Sequence, residues 1–142
     1  MPNKKALSFV AVMIIVSLVA LFLRFAVEQL IRINIAQNQA NAQDTLKLIS
    51  TAIENYARDH HGVFPASLSE LIKTSPPYIE KEYITLYYTK GYNYNCTRLE
   101  PAGYSCSASP AKCNFSGKKI YTVSAGGVLV SEECAKTEDA KS

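Results

Sequence analysis

Residues 6–23 read ALSFVAVMIIVSLVALFL, eighteen positions without a charge and with only two serines. As a helix this run spans about 27 Å, close to the roughly 30 Å hydrocarbon core of a bilayer. No Pro or Gly occurs in residues 3–61, so nothing in that interval stops a helix. Past the apolar run, Ala42, Leu46, Ile49, Ile53 and Tyr56 recur in steps of four, three, four and three, which places one apolar stripe on one helix face. Lys47, Thr51, Glu54, Asn55 and Arg58 fall on the other face, with Glu54 and Arg58 spaced for an i,i+4 ion pair. Between the two apolar parts lies AQNQANAQ, residues 36–43, which has helix propensity but little to bury. It reads as a solvated stalk or as a helix interruption. A helix unbroken from Lys5 to His60 would measure roughly 80 Å.

The pattern then changes. Gly62 supplies a helix stop and Pro65 fixes the following turn. Ser67 and Glu70 have the spacing of a capping box for a short second helix through Ile72. Three later segments alternate as strands do: GYNYNC at 91–96, GYSCSASP at 103–110 and KIYTVSAGGVLV at 119–130. Tyr104, Cys106 and Ala108 fall on one strand face, and Gly126-Gly127 reads as a hairpin turn.

These residues carry a family resemblance. Ala52 to Tyr56 (Ala-Ile-Glu-x-Tyr), Asp59 to Gly62 (Asp-x-x-Gly), Phe64-Pro65 and Ser67 to Leu71 (Ser-Leu-x-x-Leu), followed by the three strand segments, resemble the type IV pilin-like family, most closely the major pseudopilins of type II secretion. The resemblance implies an α+β fold: a long N-terminal membrane-spanning helix packed on a small antiparallel sheet, a rod carrying a head. It implies domains at 1–5 (basic cytoplasmic leader), 6–26 (transmembrane helix), 27–60 (extramembrane continuation of the helix), 61–134 (α+β periplasmic head) and 135–142 (polar tail). It also sets a register at the N-terminus. Ala6 stands where the family has the Gly before the prepilin-peptidase cleavage bond, which makes Ala6-Leu7 the candidate bond. Leu7 replaces the methylated Phe, and Ala11 replaces the assembly glutamate. A buried carboxylate needs a cation, which in pilins is the freed N-terminal amine, and Ala11 makes no such pair. In a membrane or a filament core, the residues expected to pack against sister helices are Phe9, Val12, Ile15, Val16, Leu18, Val19 and Phe22. The stripe of Ala42, Leu46, Ile49, Ile53 and Tyr56 is expected to face the head.

Composition narrows the function. A chain of 142 residues has room for one small domain. Its formal net charge of +3 comes from Lys4, Lys5 and Arg24, because from Val27 onward twelve basic residues balance twelve acidic ones. A neutral head is not the electrostatic footprint of a nucleic-acid-binding domain. Lys4 and Lys5 before the apolar run favour a cytoplasmic N-terminus, hence a single-pass inner-membrane protein with its head in the periplasm. A secretory signal shares the basic and apolar parts, but LFLRFAVEQ offers no small-x-small cleavage site after the run. Cys96, Cys106, Cys113 and Cys134 include no Cys-x-x-Cys pair and fit no zinc-site spacing, so they read as two disulfides in an oxidising compartment. Three pairings are open. The preferred one joins Cys96 to Cys106 across a hairpin and Cys113 to Cys134 at the C-terminal strand.

Candidate chemistry adds little. His60-His61 beside Asp59 offers metal-ligand types, but adjacent side chains diverge at a helix end and no third ligand is near in sequence. Nine tyrosines could stack on sugars or bases, but they are also ordinary strand residues. Asn95-Cys96-Thr97 and Asn114-Phe115-Ser116 match a glycosylation pattern that recurs by chance. Glu132, Glu133, Glu138 and Asp139 resemble the acids of a pseudopilin calcium loop without forming a matching loop, and read as a solvated tail. No nucleophile elbow, phosphate loop or metal-ligand helix occurs. The expectation is a non-enzyme with no cofactor, no metal and no small-molecule substrate. Its expected partners are the lipid bilayer and other pilin-like subunits or secretion-apparatus proteins, with no nucleic acid. The competing reading is a non-polymerising, signal-anchored periplasmic binding or sensor protein built on the same architecture.

Overall fold

The structure is a computed structural model that describes residues 4–80 and 88–134. The start of the leader and the tail at 135–142, with Glu138 and Asp139, lie outside the described residues. Helix α1 (Lys4–Asp59) accounts for most of the first half of the chain. Helix α2 is one turn (Glu70–Lys73), and five strands follow: β1 (Tyr88–Thr89), β2 (Tyr92–Glu100), β3 (Gly103–Pro110), β4 (Lys119–Ser124) and β5 (Val128–Glu133).

Helix α1 runs through the polar stretch without a break, because Ala and Gln favour the helix and no Gly or Pro intervenes. It ends in a Schellman arrangement. The Gly62 N–H donates to the Ala57 carbonyl at 2.7 Å, and His60 N–H donates to Tyr56 O at 3.0 Å. The left-handed residue that turns the chain is His61 (φ 58°), with Gly62 (φ 85°) after it. Gly62 therefore shares the stop with a residue that carries a Cβ. Helix α2 departs from the capping box read in sequence. The Ser67 hydroxyl bonds Ser69 Oγ at 2.8 Å, and Glu70 Oε2 accepts the Ala66 N–H at 3.0 Å, one residue before the expected cap. The helical turn accordingly starts at Glu70.

The strands form one antiparallel meander in the order β1-β2-β3-β4-β5. Cys96 sits directly opposite Cys106, and the register shifts between Cys96 and Arg98, a bulge at Thr97. The β4–β5 connection is the three-residue loop Ala125-Gly126-Gly127, in which both glycines have positive φ (86° and 71°).

The chain divides into two compact units, 1–34 and 35–142. In the second, residues 35–59 of α1 pack on the sheet, so the stretch 27–60 divides at Ile35. The core contains Ala42, Leu46, Ile49 and Ile53 from the helix, Leu71 and Ile79 from the connection, and Tyr92, Tyr104, Cys106, Ala108, Tyr121 and Val123 from the strands. Tyr56 is half-buried against this cluster. Alternation puts one face of β3 and β4 inward, with Tyr104, Cys106 and Ala108 buried on β3 and Tyr121 and Val123 on β4. This is an α+β fold, a helix laid on an antiparallel sheet.

Candidate functional site

Two surfaces carry the functional argument. The first belongs to unit 1. The α1 residues expected to pack against sister helices are all exposed, from 49% at Leu18 to 75% at Phe22. Val10, Ile14 and Leu21, on the opposite side of the helix, are also exposed. None of this apolar run is buried. A helix apolar on every side is stable in water only when something covers it, and its length and composition suffice for one membrane crossing. Ser17, the polar residue in mid-run, donates its hydroxyl to Met13 O at 2.9 Å, which satisfies that donor within the helix. Ala6 and Leu7 lie in the helical first turns, and Ala11 contributes no carboxylate to this surface.

Exposed apolar side chains continue past Leu23 through Phe25, Val27, Leu30 and Ile33. Arg24 and Glu28 form an i,i+4 pair at 3.7 Å, with both side chains largely exposed. The apolar surface therefore extends about ten residues beyond the uncharged run.

The second surface is the seam where the unit-2 part of α1 meets the sheet. The polar stretch 36–43 neither stands free nor breaks the helix. Asn38 Nδ2 donates to Ser116 O at 3.0 Å, and Lys90 Nζ donates to Asn41 Oδ1 at 3.5 Å. Its amides thus bond the loops at one end of the sheet. At the other end, Glu54 Oε1 accepts the Tyr104 hydroxyl at 3.0 Å and the Gly126 N–H at 2.7 Å, while Ser50 Oγ lies 2.8 Å from the same Tyr104 hydroxyl. Because Tyr104 donates to the carboxylate, Ser50 donates to Tyr104. Glu54 makes no ion pair with Arg58 among the described residues; its partners are on the sheet.

The tyrosines of this seam are structural. Tyr92 is fully buried, donates to Lys119 O at 2.8 Å, and burial pushes its pKa up to about 12. Burial likewise pushes Tyr104 up to about 12, with the Glu54 carboxylate adding to the rise and Ser50 opposing it. Tyr94 is raised by burial, and its hydroxyl is buried without a hydrogen-bond partner. Tyr78 is raised chiefly because it donates to Asp59. The inward-facing phenols of Tyr92, Tyr94 and Tyr104 are not available to stack on a ligand.

The remaining candidates are placed as follows. Cys96 bonds Cys106, Cys113 bonds Cys134, and no free cysteine is left among the described residues. His60 stacks on Tyr56 with centroids 3.9 Å apart and interplanar angle 8°, its Nδ1 2.8 Å from Tyr56 O. Among the described residues no three His, Cys, Asp or Glu side chains gather as a metal site. The Glu54–Tyr104–Gly126 network was missed in sequence.

No family model and no curated protein matches the chain. A solved structure to which it is similar is the crystal structure of the Neisseria meningitidis non-core minor pilin PilV, with 16% sequence identity over 75% of this chain and 94% of that one, at a TM-score of 0.46.

Proposed function

We propose that the chain is a structural, non-catalytic pilin-like subunit of a type II secretion or type IV pilus-like filament apparatus. Its N-terminal helix sits in the inner membrane with the N-terminus cytoplasmic, and its head lies in the periplasm. The observation that carries this reading is the apolar helix exposed on every side from Phe9 to Phe25, in the same α1 whose later residues form the core of the head. Such a helix is covered by lipid before assembly and by sister helices afterwards, through van der Waals packing. The sequence pattern from Ala52 to Leu71 supports the same reading, as do the two disulfides, which suit an oxidising compartment.

A second reading is favoured by Ala6 and Ala11, which stand where the family has its leader Gly and assembly Glu. In that reading the protein is a signal-anchored binding or sensor module that never polymerises. An open hollow of about 300 Å³ lined by Gln43, Lys119, Tyr121, Leu129, Val130 and Ser131 is a surface such a module would offer.

The test is the N-terminus and intact mass of the protein purified from native membranes. A chain beginning at Leu7, methylated or not, supports the filament subunit. A chain that retains residues 1–6 supports the signal-anchored reading instead.

A further inference from the structure

We infer that the β3–β4 loop, residues 111–118, is a docking surface for the anionic headgroups of the membrane that holds the anchor helix. The inference rests on the membrane-anchor reading above.

The loop displays an aromatic ring. Phe115 is 58% exposed, and Lys112 Nζ lies 5.2 Å from its ring centroid. Lys118 and Lys90 are exposed on the same end of the sheet, where Ala111 N–H donates to Gly91 O at 2.9 Å. No acidic residue occurs in 111–118. The nearest carboxylates in strand register are on β5, where Glu133 lies opposite Lys119.

The display is imposed by a rigid scaffold. Lys112 O accepts the N–H groups of Phe115 and Ser116, at 3.2 and 2.9 Å, and the Ser116 hydroxyl at 3.0 Å. Ser116 Oγ accepts the Lys112 N–H at 2.9 Å, and Asn114 N–H donates to Gly117 O at 2.8 Å. Asn114 holds a positive φ of 63°, and Cys113–Cys134 ties the loop to the end of β5. A loop whose backbone groups are satisfied internally cannot fold Phe115 inward without breaking these bonds. A basic, aromatic tip of this kind suits a bilayer interface, where rings sit at headgroup level and lysines meet lipid phosphates.

The position of the loop in the chain selects the lipid. Ser116 O is bound by Asn38, five residues after Ile33, the last exposed large apolar residue of unit 1. Five residues reach at most about 18 Å fully extended and about 8 Å as helix. An anchor that buries its apolar surface through Ile33 thus keeps the loop within a side chain or two of the headgroups. The run from Phe9 to Ile33 is about 36 Å long as helix, so burying it in a roughly 30 Å core requires a tilt. It also brings Arg24, Glu28 and Arg32 to the headgroup side of that core, where Arg24 pairs with Glu28 and the long arginine side chains reach back toward the phosphates.

The sequence has no tryptophan, so the test needs only single substitutions in the full chain. Phe115→Trp and, as the anchor control, Phe22→Trp are reconstituted into vesicles of phosphatidylcholine with or without phosphatidylglycerol, using brominated acyl chains as quencher. The expected result is quenched, blue-shifted indole emission from the Phe115→Trp variant in the anionic vesicles, with loss of quenching in neutral vesicles and in 1 M salt, where the screening length falls to about 3 Å. Adding Lys112→Gln or Lys118→Gln to that variant should each lower the inserted fraction about fivefold at low salt. Quenching of the Phe22 reporter without quenching of the Phe115 reporter overturns the inference and leaves the anchor standing. A blue shift without quenching, the mark of a protein contact, also overturns it, as does quenching indifferent to lipid charge. If neither reporter is quenched, the anchor reading and this inference fall together.

Discussion

Glu54 Oε1 accepts the backbone N–H of Gly126 at 2.7 Å, joining the end of α1 to the β4–β5 hairpin across 72 residues of sequence. The same oxygen takes the Tyr104 hydroxyl, so one helix carboxylate fixes the hairpin and the middle strand together. Charge-assisted bonds of this type are stronger than neutral ones, and the Gly126 N–H is exposed enough for water to replace part of the loss. Glu54→Ala should therefore destabilise the head by about 1.5 kcal/mol. Arg58→Ala should change stability by less than about 0.5 kcal/mol. Urea unfolding of the full chain in detergent, followed by tyrosine signal, checks both.

Alkaline pH should act through the same seam. Tyr92 and Tyr104 have folded pKa values of about 12, against an ordinary value of 10.0. A phenol that holds its proton more tightly when folded contributes stability that is complete below pH 10 and is lost as pH rises toward 12. Unfolding midpoints should be flat from pH 7 to 9 and fall steeply between 10 and 12. Tyr104→Phe should lower the plateau and make the fall shallower, because one of the two most strongly raised phenols is gone.

His61 stands in the left-handed position that ends α1, where a Cβ costs about 1 kcal/mol relative to glycine. Its side chain is exposed. His61→Gly should raise stability by up to about 1 kcal/mol, less the extra entropy of a glycine chain. A thermal melt of the full chain reads the difference, and a loss of stability would mean that the His61 side chain has a role in the native turn.

Gly117 allows Tyr92 to reach Lys119 O. A Cβ at position 117 would sit 2.6 Å from Tyr92 Cζ and 2.7 Å from Cε2. Gly117→Ala should cost about 1–3 kcal/mol, the range for overpacking a tight core. Restoring space with Tyr92→Phe in the same chain should recover part of that loss.

The sequence conveyed the long helix and the strand segments because both depend on local periodicity: nothing breaks residues 3–61, and the inward set Tyr104, Cys106 and Ala108 alternates as a strand must. The α+β arrangement of these parts was what the family resemblance implied. Distant pairings were less legible. Glu54 falls with the polar face on a helical wheel, which gives the same position to a solvated residue and to one that bonds a hairpin 72 residues away. Asn38 and Asn41 present the same ambiguity, since amides with helix propensity look alike whether they face water or the loops at Lys90 and Ser116. The capping box failed because Glu70 turned its carboxylate to Ala66 and Tyr56, a competition among neighbours that spacing alone does not reveal. Four cysteines permit three pairings, and only the register that sets Cys96 opposite Cys106 decides among them.

Cross-linking of the anchor helix in native membranes tests the central claim most directly. With no free thiol among the described residues, a cysteine introduced at Val12, Val16 or Val19 is a single reporter on an exposed helix face. If the chain assembles through this helix, mild oxidation should give dimers from at least one of these positions, and pairing two such positions in one chain should give a ladder of higher species. Monomer at every position, from a chain that still fractionates with the membrane, would contradict assembly through α1 and leave a solitary anchored protein.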